Sequence, residues 1–470
     1  MIEDRDPTKD APSAGQESTA KKGAPSGKVS RLAVWSYVLF NFGDTPFAAT
    51  ILTLYFPLWL TEEYRAGPAL FNYATALASL LVVLSAPALG AICDLRQSRK
   101  PYLVVFTLVT VLCTFALDFT DELTGSLLVA VVVFVVAVVA YNLINVPYYA
   151  LLRSAAAGRG TGKVSGYTQA AGFVGTFIAV IGLTLLVAPE KFLGLTLGGP
   201  GEIRQVFGPL GAFVHTAKAA VDSNTFLPTA VFFLVFALPA FFFLSDVPER
   251  APQRLRLGEA YRNVFATVKG IGAYRGLGAY MVVTLLYMEA TLIAIPNMCL
   301  FGKVIFKMKD QQISNLIILS LLFSVLAAFG AGRVSDKIGP KRALLITMVL
   351  WVAGILAVSF AWAPWVMYVA SFLIFLANGA TLAVGTVLVI ALSPPAKLTE
   401  FMGLYVTVGM VSAVLGPGIV ALLLGVFGGL GSGAYRIGMA SIAVAMVLGI
   451  ILLLLRVPDA RNPGTSTRVR

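Results

Sequence analysis

Gly332-Arg-Val-Ser-Asp336-Lys337-Ile-Gly339-Pro-Lys341-Arg342 is a short charged stretch between two long apolar runs, and it occurs twice. The other copy, Gly90-Ala-Ile-Cys-Asp94 followed by Arg96, Arg99 and Lys100, lies 242 residues earlier, close to half the chain. The first copy lacks the middle glycine and has Gln97 there instead. Each copy follows the second apolar run of its half. A repeat at this spacing is the mark of a chain built from two parallel halves joined by a long middle loop.

The surrounding composition explains what those runs are. The chain has 470 residues, 58% hydrophobic and only 12% charged, and its charges are confined to gaps between apolar segments. About 20 apolar residues are what the hydrocarbon thickness demands of a helix. Six such segments fall at 31–60, 69–93, 101–118, 124–152, 163–187 and 226–246. A polar, Arg-rich stretch from Pro248 to Lys269 follows, then six more at 272–300, 312–332, 341–360, 364–393, 401–426 and 434–456. The expectation is an all-α membrane protein of twelve transmembrane helices in two six-helix halves, residues 31–246 and 272–456. Residues 247–271 form a cytoplasmic linker, 1–30 a disordered cytoplasmic tail and 457–470 a cytoplasmic tail.

Cytoplasmic loops keep an excess of Lys and Arg. With both termini inside, 27 of the 35 basic residues fall on that side. The other eight are Arg65, Lys191, Arg204, Lys218, Lys303, Lys307, Lys309 and Arg436, three of them clustered after the seventh segment. The net charge of +12 is thus an anchor to the inner leaflet of the cell membrane, and it calls for no nucleic-acid partner.

Two acids lie inside the membrane runs, Asp44 and Glu289, in the equivalent first helices of the two halves. Counted from Arg31 and Arg275, each is roughly 20 Å along its helix, near the midplane. A charged carboxylate there costs on the order of 2.5–3.5 kcal/mol, so each should face a water-filled cavity or be protonated. No Lys or Arg within a membrane run pairs with either. A carboxyl that loads a proton on one side and releases it on the other is what proton coupling requires. The two are therefore the candidates for proton or substrate coupling.

Polar stripes at helical spacing surround them. Tyr37, Asn41 and Asp44 share one face, as do Asn142, Asn145 and Tyr149; Gln169, Gly172 and Thr176; and Asn378, Thr381 and Gly385. With Asn297 they are the candidate cavity lining. Such amides and hydroxyls either bind a polar solute or fasten helices together. Pro46, Pro147 and Pro296 fit helices that bend around a central site.

Other chemistry finds no support. Gly158-Arg-Gly-Thr-Gly162-Lys163-Val164 lacks the first glycine and the final Ser or Thr of a phosphate-cradling loop, and no strand precedes it. Cys93, Cys113 and Cys299 stand at unrelated spacings, and His215, the single histidine, is a loop residue with no ligand partner. Neither a metal nor a cofactor is expected, and the protein reads as a carrier, not an enzyme. The outer gap 188–225 holds an amphipathic run, 203–221, suited to an interfacial helix or an entrance cap.

The two charged loops resemble the inner-loop signature of the major facilitator superfamily. That resemblance implies that Gly90, Asp94, Arg96, Arg99, Lys100, Gly332, Asp336, Gly339, Lys341 and Arg342 form cytoplasmic gating loops that latch one of two access states. Phe40-Asn41-Phe42-Gly43-Asp44-Thr45-Pro46-Phe47 with Leu54-Tyr-Phe-Pro57 is similar to the first-helix motif of the autophagy-type vacuolar amino-acid effluxers and their bacterial relatives. That family has an acid where Asn41 stands and an amide where Asp44 stands. Leu286-Tyr287-Met288-Glu289, Pro394-Pro395, Glu400 to Tyr405, and Leu415-Gly416-Pro417 resemble further stretches of it. Leu382 and Thr386 depart from it, since relatives carry Gln and Arg there. The implied function is a proton-coupled secondary transporter moving a small polar solute by alternating access as a monomer, with amino-acid efflux as the finer reading. Tyr141-Asn142 and Val146-Pro147-Tyr148-Tyr149 resemble cation-coupled sugar symporters, the alternative. A non-transporting scaffold or receptor on the same fold is the alternative from another class.

Overall fold

The computed structural model describes residues 30–62, 64, 68–187, 226–246 and 257–459. The expected N-terminal tail up to residue 29, the amphipathic run 203–221, His215 and the tail beyond Asp459 lie outside the described residues. Among the described residues there is helix and no strand.

The first half is built from α1 (Arg31–Phe47), α2 (Phe56–Glu62), α3 (Pro68–Arg96), α4 (Lys100–Thr124), α5 (Leu127–Ala155), α6 (Thr161–Val187) and α7 (Phe226–Phe243). Helix α8 (Leu257–Lys269) connects it to α9 (Leu277–Ile305), α10 (Asp310–Ile338), α11 (Pro340–Ser359), α12 (Pro364–Leu392), α13 (Leu398–Val426) and α14 (Ser432–Arg456). Among the described residues, ten helices are long and apolar enough to cross a membrane. The remaining two of the expected twelve segments are α6 and the composite α1–α2. Large apolar side chains cover the outside of the bundle, among them Leu84, Leu112, Leu326, Leu422 and Leu455, each at least half exposed. A belt of that kind suits lipid and not water.

Proline shapes the first segment. Ser30 caps α1, its hydroxyl accepting from the Leu32 N–H at 3.1 Å. Pro46 has no N–H to give to the carbonyl of Phe42, four residues back. From Ala48 to Tyr55 the helix widens to π-type turns, and the N–H of Phe56 reaches back to Ile51. Such wide turns recur at functional sites. Gly175 of α6 lies against the Phe42 carbonyl, where a Cβ would collide with it. The seventh segment begins later than the expected residue 272. Ile271–Ala273 is a 3-10 turn and Gly276 takes a left-handed φ of 78° before α9 starts.

Packing repeats between the halves. Helix α1 lies against α6 and α7, as α9 lies against α13 and α14. The pairs α4–α5, α3–α5 and α4–α7 recur as α11–α12, α10–α12 and α11–α14. The halves meet along two seams related in the same way, α3 with α13 and α10 with α6. One basic residue counted outside, Arg436, also has a structural task. It donates to the Ser359 and Ala361 carbonyls at 2.7 and 2.8 Å, satisfying the C-terminal end of α11.

The repeated loops turn at matched residues. Gly339 has φ 95° and ψ 149°, a backbone nearly closed to side chains, and Gln97, at the matching place 242 residues earlier, has φ 52°. Gly339→Ala should therefore lose about 1–3 kcal/mol, read as a lower thermal unfolding midpoint in detergent. Gln97→Gly, which removes a Cβ from a positive φ, should not lower it.

Candidate functional site

The two repeated aspartates meet at the seams, and each acts on the opposite half. Asp336, near the end of α10, accepts from the backbone N–H of Gly162 and of Lys163, both at 2.8 Å, in the first turn of α6. Asp94, near the end of α3, accepts from the N–H of Glu400 at 2.8 Å, in the first turn of α13. The first N–H groups of a helix have no partner within it and carry the positive end of its dipole. A carboxylate from the neighbouring half satisfies both needs.

Glycine permits this approach. Gly162 and Gly166 face Gly332 and Ala328, and Gly90 and Gly403 face the Thr399 and Ala86 carbonyls, each so close that a Cβ would clash. Such small residues let helices touch backbone to backbone. Arg99, 6% exposed, binds the first seam: its Nε donates to Thr399 Oγ1 at 2.8 Å, and its guanidinium lies 3.5 Å from Asp94 and 3.9 Å from Asp246. Asp246 also accepts from the backbone of Arg99 and Lys100, holding the loop after α3 to the end of α7. At the other seam Ser165 donates to the Ala383 carbonyl at 2.7 Å and Arg333 to Tyr167 at 3.0 Å. The end of the bundle that bears the basic loops is thus closed.

Not every residue of the expected gating loops belongs to a seam. Lys341 donates to the Val457 carbonyl at 2.6 Å, and Arg342 stands 3.4 Å from Asp459, both within the second half. The latter pair is exposed and worth little. Gly339 serves the turn, Lys100 reaches the Phe242 carbonyl, and Arg96 is exposed. Of the expected gating residues, Gly90, Asp94, Arg99, Gly332 and Asp336 make contacts between the halves, and Arg333, Thr399 and Glu400, which were not among them, do so too.

Deeper in the bundle Asp44 is 4% exposed, and its Oδ1 has no hydrogen-bond partner. Tyr141, Tyr148 and Tyr149 of α5 lie within electrostatic reach of it. Glu289, 8% exposed, lies with its Cγ against Gly416 of α13, where a Cβ would stand 2.8 Å away. Among the described residues no ion pair reaches either acid.

The cavity-lining candidates divide. Tyr37, Asn41 and Thr381 fasten helices, because buried hydroxyls and amides must find partners and these find them on neighbouring helices. Tyr37 and Tyr148 each donate to the other's backbone carbonyl, at 3.1 and 2.9 Å, with rings stacked 4.3 Å apart. Asn41 donates to the Thr168 carbonyl at 2.9 Å, and Thr381 bonds Trp351 and Thr347 inside the second half. Asn142 and Asn297 donate to carbonyls of their own helices, those of Val138 and Ile293. Asn145, Tyr149 and Gln169 are half-buried. Thr176 Oγ1 and Asn378 Oδ1, like Asp44 Oδ1, are buried with no partner, the condition of groups that bind water or solute.

A chain of tyrosines crosses between the halves beside the acids. Tyr149 of α5 meets Tyr405 of α13 edge to face at 6.1 Å. Tyr405 and Tyr287 share a hydroxyl contact of 3.0 Å, and Tyr280 donates to the Gly385 carbonyl at 2.7 Å. Tyr280, Tyr405 and Tyr148 were not among the expected site residues. The i, i+7 spacing of Tyr280 and Tyr287 was the available signal. Two cavities lie elsewhere. An apolar void beside Met298, Gly302 and Met367, about 10 Å³, holds about one water at most. A groove of about 740 Å³ between α4 and α7, lined by Lys100, Phe242 and Asp246, is on the rim.

Comparison with known proteins follows the same outline. A family model described as Major Facilitator Superfamily matches residues 2–180 and 277–470. The uncharacterized MFS-type transporter YxiO of Bacillus subtilis (strain 168) is 20% identical over 446 residues, 92% of this chain and 96% of that protein. The multidrug resistance protein MdtG of Salmonella schwarzengrund (strain CVM19633) is 27% identical over 203 residues, 41% of this chain and 48% of that protein. Among solved structures, the human organic anion transporter MFSD10 (TETRAN) aligns with a TM-score of 0.65 at 15% identity, covering 90% of this chain and 98% of that one. A bacterial homologue of the iron transporter ferroportin, in an outward-facing state, aligns with 0.63 at 11% identity, covering 91% and 99%. At these identities the structural likeness speaks for the fold alone.

The closed seam carries its own reporter. Cys93 is buried, and the cluster it packs in includes Val406 of α13. Asp336→Ala removes a cap worth about 1–2 kcal/mol, so the open population should rise roughly 5–30-fold. With Cys113 and Cys299 replaced by Ala, the rate at which a water-soluble maleimide modifies Cys93 should rise accordingly. An unchanged rate means that Asp336 does not hold the halves together.

Proposed function

This chain belongs to the Major Facilitator Superfamily, a family of membrane transporters and not of enzymes, and on that footing we propose a proton-coupled carrier that moves a small polar solute by alternating access. The observation that carries the reading is Asp44: a buried carboxyl with an unpartnered oxygen, no ion pair among the described residues, and tyrosines around it. We assign it and Glu289 the coupling role, with twelve spans, both termini cytoplasmic, in a cell membrane, and a monomer as the working unit. The excess of Lys and Arg makes the latched end cytoplasmic. The conformation described here is then the one closed to the inside.

The cycle follows from electrostatics. With both acids ionised, sealing the chamber from water costs on the order of 2.5–3.5 kcal/mol per carboxylate. That is roughly a hundredfold in the equilibrium for each. Protonation removes most of that cost, so a loaded carrier can close its outer side. Closure outside requires release inside, where Asp94 and Asp336 must leave the N-termini of α13 and α6. Solute bound to one state more tightly than to the other biases the same exchange. Half-buried Asn145, Tyr149 and Gln169, and the unpartnered Thr176 and Asn378, are the groups proposed to meet it.

The finer reading is amino-acid export. Its support is where the resemblance to the vacuolar effluxers falls. Phe40–Phe47 surrounds Asp44, although the family carries its acid at the place of Asn41; Leu286–Glu289 contains Tyr287 and Glu289, and Leu415–Pro417 supplies the Gly416 against which Glu289 packs. Three of the stretches that look alike thus fall at this site.

In proteoliposomes an imposed pH gradient should drive solute uptake or release. Asp44→Asn and Glu289→Gln, which keep shape but carry no proton, should abolish that coupling while leaving solute counterflow. Coupled flux undiminished in both variants excludes the mechanism. Counterflow with leucine or phenylalanine and none with sugars is the expected substrate pattern; the reverse assigns the carrier to sugars.

A further inference from the structure

Helix α8 has thirteen residues, about 20 Å, too short to cross a bilayer. It links the halves at the latched end, between α7 and α9, and packs along α3. One of its faces is held by the seam. Thr267 is buried, and its hydroxyl accepts from Lys397 Nζ at 2.8 Å. Lys397 stands 3.8 Å from Glu400 and lies over the Tyr274 ring. Glu400 is the residue whose N–H Asp94 caps. The helix is therefore fastened to the first turn of α13.

Among the described residues, none covers its other face. Tyr261, Phe265 and Val268, spaced i, i+4 and i+7, are 54%, 75% and 46% exposed. Arg262, Lys269 and Arg275 are exposed beside them. An apolar stripe with basic neighbours on a short helix is the pattern of a helix lying in the lipid headgroup layer. We propose that this face of α8 is a docking surface for anionic phospholipid in the leaflet at the latched end. Phe265 sits at the acyl boundary, and Arg262, Lys269 and Arg275 meet lipid phosphates.

Charge decides in favour of that occupant. Residues 247–276 carry six Lys or Arg and two acids, Glu249 and Glu259, which suits an anionic surface. The adjoining residues 247–256 hold three arginines and two prolines and offer little apolar surface to cover the stripe. The helix also enters the bundle only eight residues beyond Lys269, at Leu277, where the spanning segment begins.

The test reads position, not transport, so its result is independent of proton coupling by Asp44 and Glu289. Phe265→Cys is made in the full chain with Cys93, Cys113 and Cys299 replaced by Ala, and labelled with an environment-sensitive fluorophore. It is reconstituted in phosphatidylcholine vesicles with and without phosphatidylglycerol. Brominated lipid should quench the label and aqueous iodide should not, and the lipid quenching should deepen severalfold with phosphatidylglycerol. Replacing Arg262 and Lys269 by Gln should remove the phosphatidylglycerol dependence. Quenching by iodide in both vesicles overturns the proposal, because the face is then in water. Protection from both quenchers also overturns it, because the chain itself or a second copy then covers the face. Lipid quenching that ignores phosphatidylglycerol overturns the anionic assignment.

Discussion

A carboxylate at the N-terminus of a helix in the opposite half is the contact on which the conformation rests. Asp336 satisfies two N–H groups of α6, and Asp94 satisfies one of α13. Both interactions replace contacts that water would otherwise make with helix ends. They are strong enough to hold the halves and weak enough to be exchanged, since capping is worth about 1 kcal/mol or a little more. The glycines at Gly90, Gly162, Gly166 and Gly332 are what bring the backbones within reach. A larger side chain at any of them would keep its aspartate away from the helix end it caps.

The acids inside the bundle stand in the opposite situation. Asp94 and Asp336 are partnered at the rim, whereas Asp44 has a bare oxygen amid tyrosines and a proline-widened helix turn. Desolvation makes such an atom costly unless water, solute or a proton joins it. The two kinds of carboxyl thus divide the work of a carrier. In the proposed cycle the rim pair sets which end is shut, and the central pair makes that choice depend on what is bound. The π-type turns after Pro46 matter here because they place the unpartnered acid beside backbone that is already irregular.

Much of the architecture was legible because bilayer thickness imposes a length on apolar runs, and the helices fall close to the expected segments. The repeat located Asp94 and Asp336 for the same reason that any charge between two spans is conspicuous. Gln97 looked like a defect in the first copy, yet it adopts a positive φ in the place of Gly339. What escaped was contact between distant residues. The chain Tyr149–Tyr405–Tyr287 joins three helices, and a stripe read on one of them does not name its neighbours on the others. Helical periodicity placed Tyr37, Asn41 and Thr381 on polar stripes correctly, but a stripe does not tell whether it faces a chamber or a neighbouring helix. Arg99 was read as one of several loop charges, and only its burial against Thr399 and Asp246 separates it from the rest.

The reciprocity of the two seams has a developmental side. Each half lends one anion and receives one, so neither is electrically or sterically finished until the other has been inserted. During synthesis the first half must wait in the bilayer with the start of α6 uncapped, its acceptor Asp336 lying some 174 residues further along the chain. Ancestrally, the same arrangement suits a pair of identical six-helix units. Each would greet its twin through one glycine-lined crossing, and fusion of the two genes would convert a handshake between neighbours into a fold.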